Sequence, residues 1–143
     1  MPMDETVAPG LARFTAAQDG VYDRVLAELR AGRKRTHWMW FVFPQIAGLG
    51  SSPMAQRYAI ASLQEALAYL ADAVLGPRLI ECATALLAVE GRSAEEILGF
   101  PDDLKLRSSM TLFARAAPGI EVFQQVLDRY YDGKPDPQTL NKV

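Results

Sequence analysis

Apolar residues recur along this chain with a period near four, and no stretch alternates with a period of two. Val21, Tyr22, Val25, Leu26 and Leu29 fall on one helical face, because positions three and four apart stack along the cylinder. Asp19 is placed to cap this helix and Gly32 to end it, glycine taking the left-handed geometry at little cost. Residues 11–18 read as a short amphipathic turn before it, and residues 1–9 as a flexible tail.

Ser62 and Glu65 have capping-box spacing and predict a helix through Leu70. Residues 74–90 read as the longest helix, with Leu79, Ala83, Leu86 and Leu87 inward and Pro77 harmless in the first turn. Ser93 and Glu96 repeat the capping signal. Pro101, Asp102 and Asp103 open a further helix, their carboxylates favourably placed at its positive end. Leu106, Met110 and Phe113 form its stripe. Residues 122–131 continue the pattern until Asp132 and Gly133 stop it, and residues 137–140 add a last turn. Residues 38–43 form six successive apolar positions, too short a run for periodicity to separate strand from helix. The surrounding helices favour helix, ended by Pro44. Residues 48–53 read as a loop, and Met54, Arg57 and Tyr58 as material for a lid. The prediction is an all-α fold: one compact domain, residues 10–143, of about seven short-to-medium helices.

Composition narrows the function. The chain has 143 residues, half of them apolar and 22% charged, as in a globular protein. A net charge of −2 argues against broad capture by nucleic acid or an anionic membrane. A single cysteine, Cys82, excludes an internal disulfide and suits a reducing compartment. With one histidine and one cysteine, zinc would need carboxylates to complete its shell, so no metal site is expected. The acidic start carries no signal-peptide pattern, and no run is apolar and long enough to span a bilayer. The expected location is the cytoplasm, with no membrane partner.

Candidate chemistry gathers in two blocks. Residues 32–45 read Gly-Arg-Lys-Arg-Thr-His-Trp-Met-Trp-Phe-Val-Phe-Pro-Gln, three cations running into the sole histidine and both tryptophans. Arg33 and Arg35 suit an anion, since guanidinium forks match oxyanion geometry. The same cations also follow a helix C-terminus, where they offset exposed carbonyls. His37, beside Trp38 and Trp40, reads first as a structural residue, then as a ligand contact, and third as a general base. In the second block, Lys105 and Arg107 oppose the dipole at a helix start, a mild cost that marks a candidate site with Asp103, Ser108 and Ser109. Asp103 and Arg107 are spaced to pair on one face. The competing reading is that each cation simply pairs with Asp102, Asp103 or another acid. Nucleic acid would need a broader cationic face. No phosphate-binding glycine loop or hydrolase elbow is present, nothing calls for a cofactor, and Cys82 reads as packing.

Residues 33–45 and residues 102–113 resemble the bacterial family called domain of unknown function 1810, some members of which carry the label "calpastatin". The similarity extends over about residues 11–140. It implies a small, mainly helical fold and no established activity, cofactor or substrate. The calpain inhibitor is a disordered, repeat-bearing chain, unlike this apolar, unrepeated one. Where that family often has a His-Pro pair, this sequence has Asp72 and Ala73, so a catalytic histidine there is excluded and His37 is the only imidazole.

The expectation is a pocket for an anionic small molecule, nucleotides among the classes considered. Arg33, Arg35, Lys105 and Arg107 would hold charge, with Ser108 beside them and Trp38 or Trp40 as a wall. Hydrolysis or group transfer through His37 or Asp103 is the chemistry to test. The alternative is a non-enzymatic interaction module presenting Tyr58, Phe100, Tyr130 or Tyr131 to a protein partner.

Overall fold

Ten helices account for the regular structure among the described residues. The computed structural model describes residues 4–143, with side chains from Gly10 onward. The helices are α1 (Asp4–Gln18), α2 (Tyr22–Arg30), α3 (Met39–Val42), α4 (Pro53–Arg57), α5 (Leu63–Ala71), α6 (Leu75–Ala88), α7 (Ala94–Leu98), α8 (Asp102–Ala116), α9 (Val122–Tyr131) and α10 (Pro137–Leu140). No named strand occurs among the described residues; Ile46 and Ile60 form one isolated parallel bridge.

The all-α expectation is met, but ten helices replace seven. Four of them, α3, α4, α7 and α10, have four or five residues, too few to display a periodic stripe. Helix α4 was hidden in what reads as loop and lid; Ser52 caps it by accepting from the Ala55 amide, with Pro53 in its first turn. Residues 1–3 of the expected tail lie outside the described residues, and α1 runs through residues 4–9. The 38–43 run resolves as helix over Met39–Val42, and Phe43 leaves α3 with a non-helical backbone before Pro44.

Side-chain caps set the starts of four helices, α4, α5, α7 and α10. Ser93 and Glu96 complete a reciprocal box at α7. At α5, Ser62 accepts from the Glu65 amide, while Glu65 reaches back one residue further, to the amide of Ala61. Asp19 does not cap α2. Gly20, at φ +85°, turns the chain first, the cap position falls on Val21, and Asp19 pairs with Arg78 instead.

Helices α5, α6, α8 and α9 pack against one another, α2 lies on α6, and α7 and α10 lie on α8. A chain of rings crosses this core from α1 to α9. Phe14 meets Tyr69 with centroids 5.1 Å apart, Tyr69 meets Phe113 at 5.5 Å, and Phe113 meets Phe123 at 5.7 Å. The N-terminus of α6 comes so close to α5 that a Cβ built on Gly76 would stand 2.1 Å from the carbonyl oxygen of Leu70. Helix α3 and the loop before it are thereby laid over α1 and α8, beside the start of α8.

Candidate functional site

The loop between α2 and α3 is organised by one buried acid. Glu28, 7% exposed on α2, accepts from the amides of Arg35 (2.8 Å) and Thr36 (3.1 Å), the Thr36 hydroxyl (2.7 Å) and the Trp38 indole N–H (2.9 Å). Burial alone would push this carboxyl up, but those donors outweigh it and hold the pKa at about 2. Trp38 is consequently a core residue, 2% exposed, and not a wall for a ligand. Arg33, Arg35 and His37 project outward from the clamped loop as exposed residues.

Lys34 turns the other way. Its amide donates to the carbonyl of Ile97 (2.7 Å), and its ammonium lies 2.9 Å from a carboxylate oxygen of Asp102. The same carboxylate is 3.3 Å from Lys105, whose ammonium sits 4.4 Å from the centroid of the Trp40 ring. Asp102 is therefore shared between two lysines, and Lys105 bridges to the half-buried indole of Trp40.

Trp40 and Lys105 line an open groove of about 610 Å³. Arg107, Ser108 and the apolar Pro101 and Leu104 join them from α8 and its cap, Gly50, Ser51 and Ser52 from the loop before α4, and Asp136 from the cap of α10. Arg107 donates to the carbonyls of Lys134 (3.0 Å) and Pro135 (2.8 Å), so the pairing with Asp103 that its spacing suggests is replaced by a bond to the chain crossing α8. Ser108 donates towards Asp136 (2.9 Å), which also accepts from the amide and hydroxyl of Thr139. Burial raises the Asp136 pKa, but the Thr139 and Ser108 hydroxyls and nearby amides outweigh it and keep this carboxyl below the usual range.

Of the eight residues singled out as ligand-binding, the groove unites Trp40, Lys105, Arg107 and Ser108. Trp38 is buried, and it, Arg33, Arg35 and His37 all lie outside the groove's lining. Asp103 faces elsewhere: one of its carboxylate oxygens is buried without a hydrogen bond, and its carbonyl accepts from the Tyr131 hydroxyl at 2.5 Å. Cys82 is buried, and burial pushes its thiol up to about 12. Among the described residues, no cluster of three or more His, Cys, Asp or Glu side chains could hold a metal.

The sequence names Asp102 among the acids able to pair with Lys105, as it does, but does not single out Glu28, Ser52 or Asp136. A usable signal existed for two of them: Ser52-Pro53 and Asp136-Pro137 each place a capping side chain before a first-turn proline. Glu28 gave none, since an acid inside an amphipathic helix ordinarily faces solvent.

Residues 8–143 match the family described as "Protein of unknown function (DUF1810)". The chain belongs to the DUF1810 family. This DUF1810 protein superimposes on the crystal structure of the conserved hypothetical protein Rv1873 from Mycobacterium tuberculosis with a TM-score of 0.92. The two are 59% identical over 93% of this chain and 95% of the other. Comparison with curated proteins finds no match. Among the described residues, no helix is long and apolar enough to cross a membrane.

Proposed function

We propose that the groove binds an anionic small molecule, with Lys105 and Arg107 supplying charge, Ser108 a hydroxyl and Trp40 an apolar wall. The observation that carries this reading is the charge balance around α8. Among the described residues, Lys34 and Lys105 form ion pairs with one carboxylate, that of Asp102, and Arg107 forms none. Asp102 is divided between two ammonium groups, and the guanidinium of Arg107 is bonded to neutral carbonyls. One carboxylate oxygen of Asp136, Oδ2, accepts from Ser108 and Thr139. The two cations that line the groove thus have one shared ion-pair partner between them, an imbalance that a bound anion would offset. The mildly unfavourable position of two cations near a helix start has its counterpart in this imbalance.

The proposal concerns binding. Asp136, held ionised and tied to three donors, is built as a helix cap rather than a proton donor, and the sole imidazole lies off the lining. The test is thermal unfolding with nucleotides, sugar phosphates and inorganic phosphate. A ligand at a hundred times its dissociation constant adds about 2.7 kcal/mol, a shift of several degrees for a domain of this size. The shift should vanish in Lys105→Ala, which leaves Asp102 its partner Lys34 and so spares the fold. Equal shifts in wild type and variant, or none with any anion, would remove Lys105 and the groove from the reading.

A further inference from the structure

The two most exposed large apolar side chains among the described residues stand together at the start of α8. Phe100 is 71% exposed and Leu104 49% exposed, with Pro101 between them. Pro101 and Leu104 line the groove, as do Leu49 and Ala55 on other segments. Along α8 the lining residues recur at spacings of three and four: Pro101 with Leu104 and Lys105, Leu104 with Arg107 and Ser108. One face of the helix start is thus apolar in its first turn and polar and cationic in the next. A purely inorganic anion would satisfy Lys105 and Arg107 while leaving that first turn in water.

We propose that the groove's ligand is an organic anion with an apolar far end. The charged group lies against Lys105 and Arg107, and the apolar end covers Pro101 and Leu104 towards Phe100. This rests on the anion reading above and names the ligand class within it. Charge complementarity selects the polar end, and the unpartnered leucine and proline select the other. Covering the exposed half of Leu104 removes roughly 50 Å² of apolar surface from water, which corresponds to about a tenfold gain in affinity.

Titration calorimetry with inorganic phosphate, ribose 5-phosphate and phenyl phosphate tests the inference, alongside light scattering of the unliganded protein. Phenyl phosphate should bind about tenfold more tightly than the other two. Leu104→Ser should abolish that advantage and leave inorganic phosphate affinity unchanged; the position is half exposed, so the fold should persist. Equal affinities, or a preference for ribose 5-phosphate, would overturn the apolar end and leave the anion reading standing. Binding of none of the three would overturn both. A doubled mass that reverts to monomer in Leu104→Ser would show instead that a second copy of the chain covers this surface, and would also overturn the inference.

Discussion

Glu28 acts at the scale of a single residue. Its carboxylate satisfies two amides, a hydroxyl and an indole N–H, and so fixes a loop that glycine and three cations would otherwise leave loose. The pKa of about 2 lies below the ordinary value of 4.5, so folding favours the ionised form. The stability it contributes is complete above pH 4.5 and is lost as the pH falls through the folded value. Across that window the contribution is about 3 kcal/mol. Glu28→Gln should flatten the acid limb of a stability–pH profile measured by urea denaturation, with little change in slope near neutrality. A variant whose acid limb matches wild type would show that other carboxyls govern acid unfolding. Arginines teach a related lesson. Arg13, Arg107 and Arg129 each direct two donors at backbone carbonyls. A cation read in a sequence as a ligand hook is often a staple between chain segments.

At the scale of elements, boundaries with a local chemical cause were legible and those set by tertiary geometry were not. The full capping box at Ser93 and the stop at Asp132 and Gly133, both with positive φ, are local and were read correctly. The cap of α2 failed because the turn at Gly20, rather than the aspartate before it, decides where the helix begins. Nothing in the sequence announces that Gly76 marks the closest approach of α5 and α6. Its Cβ would collide with backbone, which has no rotamer to yield. Gly76→Ala should destabilise the fold by about 2–4 kcal/mol despite alanine's higher helix propensity, a direction that chemical denaturation can check. A neutral or stabilising result would mean that the two helices can part at little cost.

The whole molecule gathers side chains from three separate segments around Asp102: Lys34 from the clamped loop, Lys105 from α8, and through it Trp40 from α3. Lys105, Arg107 and Ser108 could be grouped from the sequence because they share one helix start; the loops that complete the groove come from elsewhere in the chain. The Lys34 side chain is only 8% exposed. Asp102→Asn would leave that ammonium buried without its counter-charge and should cost about 3–5 kcal/mol. Added phosphate should restore more stability to this variant than to wild type, and an equal response would separate the two lysines from the anion proposed for the groove. The two tryptophans have a separate use. Trp38 is sealed in the core with its N–H on a carboxylate, whereas Trp40 edges an open groove under a lysine. Iodide should quench the emission of Trp40 and spare that of Trp38, so the protein carries one fluorophore that reports its own folding and another that reports what occupies its groove.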